Sequence, residues 1–218
     1  MIALANTSRR VVIVPFISRS GSTYIFNQIS RHHHIVVCPE AEVLISLLLM
    51  PRPTAPLDAA TIANVHAAVQ MDAKLKHWGL GPENLTKIEE CESRFSAFCF
   101  ILNRYADRVK KEATTVLFKG PRKLLKLGLG DELETNSNLR WMGIMRDGRA
   151  SYLSQKEAIR PSTKLPMQVS PIRAAAEWSE YVDGIERMMT NRRIYCVKYE
   201  DFVQNVHGEL KKIFNYIE

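Results

Sequence analysis

The chain has 218 residues, 46% hydrophobic and 24% charged, a composition that suits one ordinary globular domain and excludes a disordered or collagen-like protein. Thirty Lys and Arg against 23 Asp and Glu leave a net charge of +7, which fits an anionic partner without choosing among nucleic acid, a membrane surface and a phosphorylated small molecule. No stretch approaches the roughly 20 apolar residues of a membrane span, the first ten residues lack the charge-then-apolar order of a signal peptide, and four cysteines without CxxC spacing read as free buried thiols, so a cytoplasmic protein is expected.

The run Val11-Val12-Ile13-Val14-Pro15-Phe16 is β-branched without polar alternation, the pattern of a strand buried on both faces of a parallel sheet. A small polar loop, Ser18-Arg19-Ser20-Gly21-Ser22-Thr23, follows it, and helical character resumes at Tyr24. Residues 35–38 predict a second strand, and 40–50 a helix stopped by Pro51, Pro53 and Pro56. The stretch 57–111 is helical in pattern: Asp58 caps a segment reaching Trp78, residues 79–82 break it, and 92–111 carry Phe95, Phe98, Cys99, Leu102 and Tyr105 at helical spacing as a core face. Strand runs return at 114–118, 140–145 and 193–197, each followed by a helical stretch; that at 171–189 is amphipathic and holds Trp178, a helix-to-sheet packing residue or a stacking partner for a ligand. This alternation implies right-handed crossovers and a three-layer, P-loop-like α/β fold, with a central parallel sheet of four to five strands and its ligand at the carboxyl ends of the strands. Arg19, Lys119, Arg122, Arg146 and Arg149 all follow those strand runs, so cations gather at that edge.

The loop at 18–23 lies where successive backbone N–H groups and a helix start attract an anion. Gly21 permits close approach, Ser20, Ser22 and Thr23 offer hydroxyls, and Arg19 supplies a charged planar fork. The nucleoside-triphosphate pattern GxxxxGK[ST] is absent, which leaves a phosphate cradle of another kind or an ordinary turn capped by Ser22. Further on, a strand ends at Arg146 and a helix begins near Asp147. Ser151 and Ser154, three apart, can share a face with Arg146 as a pocket for a second phosphate; the alternative is a local Arg146–Asp147 ion pair beside a solvated Ser151. His32, His33 and His34 read as a helix end, since adjacent residues on one helix cannot all face one metal. A basic set of Arg9, Arg10, Lys110, Lys111, Arg122, Lys123 and Lys126 lacks interleaved aromatics and reads as a solvated face, so no nucleic-acid partner is expected.

These residues resemble the sulfotransferases that use 3′-phosphoadenosine 5′-phosphosulfate (PAPS). Ser-Arg-Ser-Gly-Ser-Thr at 18–23 is similar to the family's 5′-phosphosulfate loop, in the arginine form of the carbohydrate and tyrosylprotein branches, and Met-Arg-Asp-Gly-Arg-Ala-Ser at 145–151 with Ser154 is similar to its 3′-phosphate motif. Cys38-Pro39-Glu40 resembles the segment that carries the catalytic glutamate of the tyrosylprotein branch, and Val197-Lys198-Tyr199-Glu200-Asp201-Phe202-Val203 resembles a late strand-to-helix element. The resemblance implies one domain over 1–218 with a helical insertion at about 52–112 on the acceptor side, PAPS as donor, no metal, and a small-molecule, saccharide or peptide hydroxyl as acceptor. It implies Arg19 and Lys119 as stabilisers of the leaving phosphate and Glu40 as general base, with Glu42 in reserve. The donor contacts it implies are Arg19, Ser20, Gly21, Ser22, Thr23, Arg146, Ser154 and Tyr199. Relatives carry a further carboxyl-terminal segment with basic contacts to the nucleotide, so a shortened form or a less enclosed donor site is expected. Two other readings compete: a P-loop kinase, which needs a Walker lysine and Asp147 as magnesium ligand, and a non-catalytic polyanion-binding domain.

Overall fold

Strands that are apolar on both faces must be covered on both faces, and the chain does this with five parallel strands between two layers of helices. The computed structural model describes residues 9–49, 54–72, 75, 77–125, 138–191 and 194–218. Strands β1 (Arg10–Phe16), β2 (Ile35–Cys38), β3 (Thr115–Pro121), β4 (Leu139–Met145) and β5 (Tyr195–Lys198) lie in the order β2-β3-β1-β4-β5, and every pairing is parallel. Helices α1 (Ser22–Ile29), α2 (Glu42–Leu49), α3 (Ala59–Met71), α4 (Arg94–Val109), α5 (Gly148–Glu157), α6 (Pro171–Thr190), α7 (Tyr199–Gln204) and α8 (Val206–Ile217) connect them, with 3₁₀ turns at Pro82–Leu85, Ile88–Glu90 and Arg122–Leu125. Alternation along β1 divides the core. Val11 and Ile13 pack with α2, α3, α4 and α6, while Val12 and Val14 pack with α1, α7 and α8 through Ile25, Phe202 and Ile213.

The helical stretch differs in detail from its sequence pattern. The helix expected from residue 40 begins at Glu42, which leaves Pro39 and Glu40 in the connection after β2. Asp58 does cap its helix, accepting from Thr61 N–H at 2.6 Å, but α3 stops at Met71 and not at Trp78. Asp72 ends it: the backbone turns extended there (ψ 104°), and the carboxylate accepts from the amides of Glu42 (3.0 Å) and Leu75 (3.3 Å), local bonds that compete with helix continuation. The aromatic helix runs 94–109 behind a Ser93–Ser96 capping box, with Phe95, Phe98, Cys99 and Leu102 buried and Tyr105 half-buried. Lys119 falls inside β3, which extends to Pro121. The strand expected at 193–197 is Tyr195–Lys198; Arg193, Lys126, Met50, Pro51 and Pro53 lie outside the described residues. The cysteines are free, as their spacing implied, but only Cys38 and Cys99 are buried, with Cys91 and Cys196 half-buried. No helix among the described residues is long and apolar enough to cross a membrane.

Much of the basic set is internally engaged. Arg9 is buried, pairs with Asp107 at 2.7 Å and donates to the carbonyls of Ala113 and Lys111. Lys110 Nζ donates to three carbonyls, those of Ser30, His32 and Ile35, and Arg10 to that of Ile217. Arg122 faces Glu177 and Glu180.

The feature that positions the site is the parting of β1 from β4. The two strands pair only from Val11↔Leu139 to Ile13↔Trp141. Val11 N–H donates to Asn138 at 2.9 Å, so by alternation Pro15 also turns its backbone towards β4, where no ladder remains to miss an N–H. Tyr181 of α6 fills the gap. Its buried hydroxyl accepts from Ile144 N–H (3.1 Å) and stands within donating distance of the carbonyls of Ile144 (2.9 Å) and Pro15 (3.1 Å). Burial pushes its titration well above the usual tyrosine range, against the lowering effect of the Ile144 bond. Tyr181→Phe leaves a buried N–H and one carbonyl unmet, so it should lower the free energy of unfolding by about 1–3 kcal/mol, read from urea unfolding curves; an unchanged midpoint would refute this role.

Candidate active site

At the carboxyl edge beside this gap, β1 runs into the loop at 18–21. Arg19 and Gly21 both take positive φ, 67° and 83°. For an arginine that is a strained backbone held by its surroundings, a feature concentrated at functional sites. Gly21 is the N-cap of α1 and offers no side-chain cap, so the first amides of the helix lack that partner; the capped turn centred on Ser22 is not what forms. A side chain at Gly21 is excluded twice, by φ and by the Tyr199 ring, which lies 2.2 Å from where a Cβ would stand.

The second sequence motif meets the first here. Arg146, at the end of β4, donates to Arg19 O at 2.9 Å, and Arg19 Nε donates to Ser154 Oγ at 3.0 Å. Ser151, Ser154 and Gln155 share one face of α5 by their i, i+3, i+4 spacing, and Gln155 Nε2 donates to Ser18 O at 2.8 Å. Tyr199, the first residue of α7, lies between the two motifs: the Arg146 guanidinium stands 4.7 Å from its ring centroid, a cation–π distance. Ser20 and Ser151 are both buried, and neither hydroxyl finds a hydrogen-bond partner. Buried polar atoms normally have one, so these two hydroxyls retain unused hydrogen-bonding capacity at the meeting of the two motifs. Ser22 is buried at the helix start, and Thr23 is exposed beside it.

Asp147 caps α5, accepting from Arg149 N–H at 2.8 Å, and its carboxylate also holds the Arg149 guanidinium at 2.7 Å. It is the side-chain bond to Arg149 first, then the backbone bond, that lowers its pKa to about 2. Its own amide donates to Glu200 at 3.0 Å, and Trp178 Nε1 donates to Arg146 O at 3.0 Å while its ring covers Gly148. Trp178 therefore packs against the core, as its helix pattern implied, and also fixes the turn between β4 and α5.

On the other side of β1 the register brings two more charged groups together. Cys38 pairs with Phe118, so Lys119 and Glu40 both emerge just past that rung, and Lys119 Nζ lies 3.4 Å from Glu40 Oε1. The same ammonium sits 4.2 Å from the Phe16 ring centroid. Glu42 is in the first turn of α2, its amide held by Asp72. The histidines lie at the opposite edge: residues 32–34 form a turn, not a helix end, and His34 O accepts from the amides of Thr114 and Thr115, where β3 begins. Four residues of strand separate that point from Lys119, roughly 13 Å, so none of the three faces the cations. Burial, partly offset by Glu218, lowers the pKa of His32. Burial raises every cysteine thiol, Cys91 and Cys196 to about 11, so none is a thiolate nucleophile near neutral pH.

Sequence reading missed three supporting groups. Gln155 was visible as the i+4 neighbour of Ser151, and Glu200 sits inside the strand-to-helix motif. Tyr181 had no local signal, because its partners are 37 and 166 residues away.

A family model described as the sulfotransferase family matches residues 12–218. Two solved structures share the fold. The sulfotransferase domain from the Synechococcus PCC 7002 olefin synthase is 18% identical, aligning 96% of this chain and 72% of that one with a TM-score of 0.57. The sulfotransferase STF9 from Mycobacterium avium is 13% identical, aligning 96% of this chain and 64% of that one with a TM-score of 0.51. No curated protein matches the sequence.

The Asp147 cap carries a pH signature. A carboxylate whose folded pKa is depressed contributes stability above its unfolded value, near 3.9, and loses it as pH falls towards about 2. Asp147→Ala should therefore lower the urea midpoint at pH 6 and show a shrinking deficit below about pH 4; a deficit independent of pH would contradict the assignment.

Proposed function

The chain belongs to the sulfotransferase family, and on that footing we propose that it moves a sulfuryl group from PAPS to a hydroxyl acceptor with Glu40 as general base. The observation that carries the reading is the meeting at Arg19 of both anion motifs, with the unpartnered hydroxyls of Ser20 and Ser151 beside it. A donor with phosphate at one end and phosphosulfate at the other has oxygens for both hydroxyls, and the residues present fit it. Arg146 and Ser154 would hold the 3′-phosphate, residues 19–23 the 5′ end, and Tyr199 the nucleotide. Arginine at position 19 and Glu40 after β2 support a place with the carbohydrate and tyrosylprotein branch, and the helices between β2 and β3 would then line the acceptor side of a single domain.

The donor supplies an activated sulfuryl group and a phosphate leaving group. The chain supplies charge and a proton acceptor. Arg19 and Lys119 face the edge where negative charge would grow, and fixed donors of this kind are often the largest catalytic contribution, about 10²–10³ in rate for one of them. Glu40 accepts the proton of the attacking hydroxyl, with the Lys119 ammonium 3.4 Å away as its ion-pair partner. The kinase reading loses its magnesium ligand, since Asp147 is engaged by Arg149 and by its own helix.

Titration calorimetry with adenosine 3′,5′-bisphosphate against magnesium-ATP tests the donor. Metal-independent binding of the bisphosphate, weakened about 10–100-fold in Arg146→Ala, is expected; preference for magnesium-ATP would favour a kinase and reject the proposal. For the base, Glu40→Gln should keep bisphosphate affinity and lower kcat for sulfuryl transfer by about 10²–10⁴. Near-normal turnover would reassign the role.

A further inference from the structure

The loop that opens the anion site holds a backbone conformation that its own residues do not favour. Ser20 N–H donates to Ile17 O at 3.2 Å, which closes residues 17–20 as a β-turn. Arg19, third in that turn, has φ 67°, while Ser18, second in it, keeps an ordinary negative φ. The combination is a type II turn, whose third position favours glycine or asparagine. A type I turn of the same four residues differs by a flip of the Ser18–Arg19 peptide and returns Arg19 to unstrained negative φ. With nothing to hold it, a residue other than glycine populates the left-handed form roughly 5–30-fold less than the right-handed one.

One side chain distinguishes the two turns. The flip would carry the Ser18 carbonyl to the opposite side of the turn, and that carbonyl accepts from Gln155 Nε2 at 2.8 Å. Gln155 is buried, 5% exposed, and its own carbonyl accepts the Gln168 amide at 3.3 Å, so the side chain reaches out from a fixed backbone. Arg146 holds the next peptide through Arg19 O at 2.9 Å. That second peptide has nearly the same place in both turn types, so of the two side-chain bonds it is the one from Gln155 that selects the strained form.

We propose that Gln155 is a positioning residue: by holding the Ser18 carbonyl it keeps Arg19 left-handed and presets the anion loop before a donor binds. The proposal rests on the sulfotransferase reading for what the loop receives, and adds to it a residue that touches no reacting atom. Without the Gln155 donor the Ser18–Arg19 peptide flips and Arg19 relaxes to negative φ. A donor must then restore the strained turn as it binds, so affinity falls by the fraction of competent loop that is lost, about 5–30-fold. Glycine in place of Arg19 escapes this effect, because it adopts either sign of φ about equally well, whereas alanine does not.

The test combines Gln155→Met with Arg19→Ala and Arg19→Gly, two variants that both lack the guanidinium and differ in the cost of positive φ. Methionine keeps the length and helix propensity of glutamine and removes the donor. In urea unfolding, the folding equilibrium constant of Arg19→Gly should exceed that of Arg19→Ala about 2–5-fold while Gln155 is present. The order should reverse with Gln155→Met, where the turn relaxes and glycine only adds freedom to the unfolded chain. In calorimetry with adenosine 3′,5′-bisphosphate, Gln155→Met should weaken binding about 5–30-fold beside Arg19 or Arg19→Ala, and less than about threefold beside Arg19→Gly. Equal losses in all three backgrounds would make Gln155 a packing residue of α5 and overturn the proposal, as would a glycine-over-alanine advantage that survives Gln155→Met. Gln155→Glu, of the same shape but unable to donate when ionised, should repeat the pattern and replaces the methionine variant if that one does not fold. An unmodified chain that binds no bisphosphate while the unfolding pattern holds would overturn the donor reading and leave the positioning role standing.

Discussion

The rest of the structure depends on β1 and β4 separating after three paired residues. A parallel sheet whose two central strands stayed paired to their ends would present a closed edge. Here the ladder ends at Ile13↔Trp141, and the backbone groups beyond it need partners inside a dry interior. One tyrosine hydroxyl satisfies both strands at once, which holds the gap at a fixed width. Pro15, an awkward residue in a central strand, is accommodated because its missing N–H faces this gap. The crevice lies where connections leave to opposite sides, the place where open α/β sheets bind ligands.

Both anion motifs are mounted on that crevice and lock each other. Arg19 receives a hydrogen bond on its carbonyl from Arg146 and gives one from its side chain to Ser154. Gln155 holds Ser18, Trp178 holds the Arg146 carbonyl, and Glu200 holds the start of α5. These supports come from four different segments, and they hold Arg19 and Arg146 in fixed positions, the preorganisation that the proposed donor site requires.

Net charge alone gave a poor picture of where the cations act. Of the +7 excess, Arg9, Arg10 and Lys110 are engaged with carbonyls and carboxylates away from the loop at 18–23, and Arg122 is engaged with Glu177 and Glu180. Arg19, Lys119 and Arg146 instead gather at strand ends, where each is oriented by a neighbour: Ser154, the Glu40–Phe16 pair and the Tyr199 ring.

The sequence by itself determined the strands, their parallel order of burial and the two anion motifs, because each is local. A β-branched run records a strand covered on both faces, and a Ser/Gly/Arg loop before a helix records the backbone freedom and donors that an anion requires. It also placed Glu40 beside the edge, though as part of a helix that in fact begins two residues later. What only the tertiary structure decided is where segments far apart in sequence meet. Asp72 ends α3 at Met71 because its carboxylate finds the amide of Glu42, 30 residues earlier; Lys119 pairs with Glu40 through the β2–β3 register; Tyr181 bridges strands with which it shares no sequence pattern. The histidine run, prominent in the sequence, falls at the wrong end of the sheet, because a strand has two ends and composition does not distinguish them. Local pattern fixes which residues want burial or a cap, whereas the partners that satisfy them are chosen by packing across the whole chain.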